Sequence, residues 1–240
     1  MRPNDYDKIA AKYASSDAKP DKAFSILPTV LALAGNVKGK IVVDLGCGNG
    51  FFTRALAKQG AKKVFGLDNS QRQILMAKKR DDARNIEYQL CDIFRDPIPT
   101  GQIINAPFVL NYAPDTRTLA TFIRKLYSAL KPGGKLVLVF DDPQGLDLKR
   151  FGAIKTMDKR QDGSRLKIKL YDKGKLICTL KAMYYTSRTI KRLLKKTGFI
   201  RIKSHKPIIS EQGVRIFGEA FWRGYGSNCE LSYLTASKMG

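Results

Sequence analysis

The chain is 240 residues long, enough for one large α/β domain with a sizeable core, and its formal charge is +23. Its four cysteines, at positions 47, 91, 178 and 229, are widely spaced and there is a single histidine, which argues against a zinc site and fits a reduced, cytoplasmic compartment. The first residues carry no apolar leader, no stretch is long and apolar enough to span a bilayer, and there is no internal repeat.

The charge is uneven. From Lys149 to Lys206 there are 19 basic and 3 acidic residues, a net of +16, which leaves +7 for the rest of the chain. Such a block suits contact with a polyanion: RNA, DNA, an anionic membrane surface or an acidic protein. It equally suits a lysine-rich chain that puts solvated charge on its exposed faces, because the basic residues are interleaved with structure.

Residues 1–35 read as an N-terminal helical segment. Tyr6, Ile9 and Tyr13 fall at helical spacing, and Ala23 to Ala34 is a second amphipathic run, with Pro28 either in its first turn or at a kink. Ile41, Val42 and Val43 then run into Asp44 and Leu45, followed by glycines at 46, 48 and 50 and an amphipathic pattern from Phe52 that Gly60 ends. This spells a buried strand, a tight loop and a helix. Glycine at alternate positions lets loop N–H groups approach a ligand beside the helix N-terminus. The spacing is not the G-x-G-x-x-G of dinucleotide sites, because Phe51 stands where the third glycine would fall. A carboxylate at the loop mouth, Asp44, would repel a pyrophosphate and suit a ligand bearing an ammonium or sulfonium.

The run Asp44-Leu45-Gly46-Cys47-Gly48-Asn49-Gly50 resembles the glycine-rich motif of class I S-adenosylmethionine-dependent methyltransferases. The resemblance implies S-adenosyl-L-methionine as cofactor, held in part by these residues. It also implies a doubly wound, mostly parallel seven-stranded sheet with an antiparallel last strand. The strand from Lys63 to Leu67 ends at Asp68, where a carboxylate beside the loop can accept both ribose hydroxyls; Asn69 follows, and Ser70 is placed to cap a helix from Gln71 to Lys79. The run from Asn85 to Asp92 reads as strand three. In the resembling family an Asp after this strand contacts the adenine amino group, which assigns Cys91, Asp92 and Ile93 to the adenine end. Strand four carries Asn105, a further cofactor candidate. Asn105-Ala106-Pro107-Phe108 also comes close to the Asn-Pro-Pro-aromatic motif of amino-methyltransferases, whereas the following Val109-Leu110-Asn111-Tyr112 fits small-molecule enzymes. A helix from Thr118 to Leu130, then Lys131-Pro132-Gly133-Gly134 and a strand from Lys135 to Phe140, is a further family marker, with glycine expected as a left-handed helix cap.

Beyond strand five the alternation changes. Arg165 to Leu170 and Leu176 to Tyr185 alternate around a turn at Asp172-Lys173-Gly174, which predicts a β-hairpin lid inserted at 145–186 within one domain spanning 1–240. Arg165, Lys167 and Lys169 lie on its polar face. Ser187 is expected to cap a helix ending at Thr197 and Gly198, followed by a strand from Phe199 to Ser204 and a final one from Cys229 to Ala236. The aromatic residues of 207–228 either line a pocket or pack on the sheet. In the resembling small-molecule methyltransferases a hairpin of this kind roofs the substrate pocket. The expected reaction is therefore methyl transfer to an O or N atom of a small molecule, with no metal. The alternative is a nucleic-acid methyltransferase that uses the basic block to hold phosphates. The sequence singles out no general base; Tyr13, Asn111, Tyr184 and Tyr185 are the candidates. His205 has Lys203 and Lys206 as neighbours, which favour its neutral form and a surface role.

Overall fold

A computed structural model describes residues 4–81, 83–144 and 147–240. Helix α1 (Tyr6–Ser15) is capped by Asp5, whose side chain accepts from the Lys8 N–H. A π-helical turn (Lys22–Ile26) leads into α2 (Leu27–Ala34). Pro28 lies in the first turn of α2, where its missing N–H has no intrahelical partner to lose.

From there strands and helices alternate: β1 (Ile41–Leu45), α3 (Phe51–Lys58), β2 (Lys63–Asp68), α4 (Gln71–Lys79), β3 (Ile86–Leu90), β4 (Gly101–Pro107), α5 (Thr116–Ala129) and β5 (Leu130–Asp141). Ser70 caps α4 by accepting from the Gln73 N–H. On α5, Leu119, Phe122, Ile123 and Leu126 fall on one face and are fully buried against the sheet. Each such side chain contributes about 1.5–3 kcal/mol on leaving water.

The helix–strand junction differs from the expectation. Helix α5 stops at Ala129, and Leu130 is already extended at φ −84° and ψ 129°, so no left-handed glycine caps it. Pro132 disfavours the helical conformation for Lys131, and β5 starts at once. The left-handed residue is Gly133, three positions on.

The chain closes the main sheet with α6 (Ser187–Thr197), β10 (Ile200–His205), three short helices, α7 (Glu211–Phe217), α8 (Glu219–Trp222) and α9 (Tyr225–Asn228), and β11 (Leu231–Ser237). Thr186, not Ser187, caps α6 through the Thr189 N–H. The sheet order is β10-β11-β5-β4-β1-β2-β3, with β11 antiparallel to both neighbours and every other pair parallel. This is the doubly wound sheet with an antiparallel last strand. The order reverses between β1 and β4, and ligands of open α/β sheets bind outside the carboxyl ends at such a switch point.

The insertion is larger than a hairpin. β6 (Asp147–Leu148), β7 (Ala153–Met157), β8 (Ser164–Asp172) and β9 (Lys175–Tyr184) make a separate four-stranded antiparallel sheet in sequence order. The β8–β9 turn has Lys173 and Gly174 both at positive φ, as a primed two-residue turn requires. One face of this sheet is apolar, with Ala153, Leu166, Ile168, Leu170, Leu180, Ala182 and Tyr184 buried. Tyr6, Ile9, Tyr13 and Tyr112 pack against that face. Of the aromatic residues of the 207–228 region, Trp222 and Tyr225 pack on the sheet, while the exposed Phe217 packs on Phe24 and Phe221. Phe151, Trp222 and Tyr225 form a buried cluster with Phe52, Val139 and Tyr233.

Candidate cofactor and substrate site

Glycines 46, 48 and 50 all adopt left-handed backbone, at φ +63°, +55° and +83°. A side chain at Gly46 would run into Val109 at 2.6 Å, and one at Gly50 into Tyr88 Oη at 2.3 Å. At Gly48 the space is open, the nearest atom being Gln73 Oε1 at 3.8 Å. The loop is therefore packed at both ends and free in its middle, where a ligand can come up to the backbone.

Asp68 lies beside that opening. Its Oδ2 accepts from the Gly48 N–H at 2.8 Å and its Oδ1 from the Ser70 N–H at 2.9 Å. Each oxygen keeps a further lone pair for a ligand hydroxyl. Burial raises the Asp68 pKa against the opposing pull of those two N–H groups. Asn69 is exposed next to it. The Cys91 N–H donates to the Asp68 carbonyl, which brings the end of β3 alongside. There Ile93 and Cys91 are buried, and Asp92 accepts from the Phe94 N–H at 3.0 Å and faces Arg95 at 3.6 Å.

Asp44 is not at the loop mouth. It lies fully buried beneath the loop, because β1 is central and this residue pairs with Asn105 in β4. Its Oδ2 accepts from Thr53 Oγ1 at 2.6 Å and its Oδ1 from Asn105 Nδ2 at 2.8 Å. Burial pushes its pKa up to about 6 despite both hydrogen bonds. Asn105 is likewise fully buried, with its amide committed to Asp44. Asn49 donates instead to Asp17 Oδ2 at 2.7 Å, and Asp17 Oδ1 pairs with Lys22 at 2.6 Å. Lys22 is almost buried and lies over the rings of Tyr13 and Phe51.

Helix α1 straps this region shut. Asp7 accepts from Ser70 Oγ at 2.6 Å and from the Arg72 N–H at 2.9 Å, which holds its pKa below the usual carboxylate range. Tyr6 and Tyr112 join hydroxyl to hydroxyl, and Tyr13 packs edge-on against Tyr6. Burial raises the pKa of all three phenols; Asp68 adds to this for Tyr6 and Tyr13, and Asp141 for Tyr13 and Tyr112. Asp141, at the carboxyl end of β5, pairs with Lys155 at 2.8 Å, and Lys155 also donates to the Glu230 carbonyl at 3.0 Å. Lys155 reaches down from the inner face of the inserted sheet and is buried.

Of the four general-base candidates, only Tyr13 joins this cluster. Asn111 is buried as a staple: it donates to the Met183 carbonyl at 2.9 Å and accepts from the Asp141 N–H at 2.9 Å. Tyr185 is fully buried and donates to the Ala113 carbonyl at 2.8 Å. Tyr184 donates to Asp142, the residue after β5, at 3.1 Å. His205 bonds Thr235 in the neighbouring strand, away from the loop, and burial together with Lys203 lowers its pKa. Sequence reasoning missed Asp17, Lys22, Tyr112, Asp141 and Lys155. The first two lie in a short polar stretch without periodicity. The others come from separate regions that only the fold joins.

The residues fit a cofactor with a nucleoside and a cationic end. Carboxylates at 17 and 68 and the faces of three tyrosines suit a sulfonium or ammonium, while the open Gly48 backbone suits close approach. Asn49 Oδ1 and both amide atoms of Gln73 are buried beside the loop without a protein partner, which leaves polar capacity for a ligand.

Comparison with known proteins agrees with this geometry. Residues 42–134 match a family described as a methyltransferase domain. A ubiquinone biosynthesis O-methyltransferase of Coxiella burnetii is 38% identical over 104 residues, covering 42% of this chain and 43% of that protein. A ribosomal protein L11 methyltransferase of Vibrio cholerae is 36% identical over 104 residues, covering 43% of this chain and 34% of that one. The chain thus spans less than half the length of these curated relatives. An S-adenosylmethionine-dependent methyltransferase structure from Mesorhizobium loti superimposes with a TM-score of 0.67 at 21% identity, covering 93% of this chain and all of that one. Residues 42–134 are thus similar to a methyltransferase domain, and the architecture as a whole is the fold of S-adenosylmethionine-dependent methyltransferases.

Proposed function

We propose that the protein transfers a methyl group from S-adenosylmethionine to an O or N atom of a small molecule enclosed between the carboxyl ends of the main sheet and the four-stranded insertion. When bound, the cofactor supplies an already activated methyl group, so the protein's part is to bind, orient and exclude water. Asp68 would take the ribose hydroxyls and the Asp92–Ile93 segment the adenine edge. Asp17, Lys22 and Asn49 would meet the amino-acid end. Asp44, beneath the loop, fixes its shape and adds negative charge under the cationic end. A substrate hydroxyl or amine would find Tyr13, Tyr112 and Asp141 on the far side of the methyl group, under the apolar face of the insertion.

One observation supports the small-molecule reading: the insertion turns its apolar face to α1 and Tyr112, and Arg165, Lys167, Lys169 and Lys181 to the other face, while Lys155 alone of its strand cations points inward and is paired with Asp141. Arg165 and Lys167 are exposed, and Lys169 is half-buried on that same outer face. Apart from Lys155, which Asp141 neutralises, the cations of this sheet therefore do not line the proposed pocket, as phosphate contacts to a nucleic-acid substrate would require. The ubiquinone-pathway relative supports the same reading through its name, and the ribosomal-protein relative leaves a macromolecular acceptor as the competing outcome. Calorimetry tests the cofactor site. Asp68→Ala should lower S-adenosylmethionine affinity at least about tenfold, the loss expected from a charge-assisted hydrogen-bond pair. Equal affinity in both proteins would remove the site assignment.

A further inference from the structure

From Lys173 to Ser210 the chain has eleven Lys and Arg residues and no Asp or Glu. The fold gathers most of them at one edge of the main sheet. On α6, Arg188, Arg192, Lys195 and Lys196 are exposed and Lys191 is half-buried, while Ile190 and Leu194 face the core. These cations recur at each turn of the helix, about 5.4 Å apart, a separation comparable with that of successive phosphates along a nucleic-acid strand. Beside them runs β10, the edge strand, with Arg201 and Lys203 exposed. A bulge between Ile200 and Lys203 puts Arg201 at φ +51°. Between helix and edge strand lies a groove of about 700 Å³, lined by Lys191, Arg192, Lys195, Lys196 and Ile202.

Local structure does not account for this arrangement. Lys195 and Lys196 complement the carboxyl end of the α6 dipole, but Arg188 stands in the first turn, where a cation is unfavourable. Lys191 and Lys195, and Arg192 and Lys196, are like-charge pairs at i,i+4, each costing about 0.2–0.5 kcal/mol. Among the described residues none of these cations has a carboxylate within ion-pair distance. We propose that the α6–β10 groove is a docking site for the phosphodiester backbone of a nucleic acid, read by charge and not by base sequence. A bilayer is the weaker match, since an amphipathic membrane helix inserts large apolar residues and α6 and β10 expose none. No exposed aromatic side chain on α6 or β10 offers a stacking platform, which is why the contact is to backbone. The groove is also remote from the glycine loop. Four strand spacings separate β10 from β1, about 19 Å at ~4.8 Å each. The docked strand thus binds independently of the cofactor, and this proposal does not rest on the methyl-transfer reading.

The test is fluorescence anisotropy with a short labelled oligouridylate, titrated at several salt concentrations. Four to five phosphate contacts predict a log–log salt slope of about −3 for a single strand. The quadruple variant Lys191→Gln, Arg192→Gln, Lys195→Gln and Lys196→Gln removes four cations, none of them in an ion pair among the described residues and only one, Arg192, with a long hydrogen bond, to Thr189 at 3.4 Å. It should keep its circular dichroism and melting temperature, bind at least about tenfold more weakly at low salt, and lose most of the slope. Asp68→Ala should bind the oligonucleotide as the wild type does, which separates this site from the cofactor site. Three results would each overturn the proposal: an unchanged slope in the quadruple variant, equal competition by polyglutamate of matched charge, or preferential binding to anionic phospholipid vesicles.

Discussion

The two sheets keep their charge in different places. In the seven-stranded sheet the inner strands are buried on both faces, and the carboxylates sit at or near the carboxyl ends: Asp44 on β1, Asp68 on β2, Asp141 on β5. In the four-stranded sheet only one face is buried. Its outer face carries Arg165, Lys167, Lys169 and Lys181, with Lys167 directly opposite Lys181. Among the described side chains its buried face carries one charge, Lys155, and that charge meets Asp141 of the main sheet. Negative charge on the inner strands of the main sheet thus collects at the ends where a parallel sheet binds ligands, and the strand cations of the insertion are either solvated or spent on joining the two sheets.

Three substitutions probe this difference, in order of expected effect. Lys155→Met should cost about 3–5 kcal/mol, because it leaves the Asp141 carboxylate buried without its cation. The double variant Lys155→Met, Asp141→Leu should recover most of the loss; urea melts of the three proteins form the cycle, and full additivity would break the pairing argument. Asp44→Asn comes next, with the opposite sign. The Asp44 carboxyl titrates at about 6 in the folded protein, against an ordinary value of 3.8. The native state therefore binds more protons than the unfolded chain between these values. The stability from this group is complete below about pH 4 and lost as pH rises through about 6, a change of ~3 kcal/mol for roughly two pKa units. At neutral pH the Asn variant should be more stable by up to that amount, and its stability should vary less between pH 4 and 7. A variant with an unaltered pH profile would place the titrating group elsewhere. The smallest effect belongs to Lys167→Thr on the outer face. Relief of the Lys167–Lys181 opposition should keep the change within about 0.5 kcal/mol by thermal melt. A loss well beyond that would mean the outer face is packed against something.

Much of the main fold was legible in the chain. The strands of the first five units, their helices and the glycine loop are set by local periodicity and by glycine and proline positions, so they could be read without knowing what lies next to them. The hairpin β8–β9 was legible for the same reason. β6 and β7 were not: Asp147–Leu148 is two residues long and Ala153–Met157 mixes Lys155 and Thr156 into its pattern, so pairing with β8 defines them, not their own alternation. The helix cap at Lys131-Pro132-Gly133-Gly134 was misplaced because proline's effect on the preceding residue outweighed the glycines.

By itself the sequence determined the tight glycine loop after β1 and the carboxylates at or just beyond the ends of β1, β2 and β3, because these follow from residue types at fixed local spacing. Tertiary structure decided which of those groups are open. It put Asp44 under the loop and not at its mouth, since a central strand buries both faces. It also joined Tyr6 to Tyr112 across 106 positions and Lys155 to Asp141 across two sheets. And it turned Arg165, Lys167, Lys169 and Lys181 of the insertion to the face opposite its apolar one, leaving only Lys155 of these strand cations inside, because a half-buried antiparallel sheet gives its apolar residues to the core and its unpaired lysines to water.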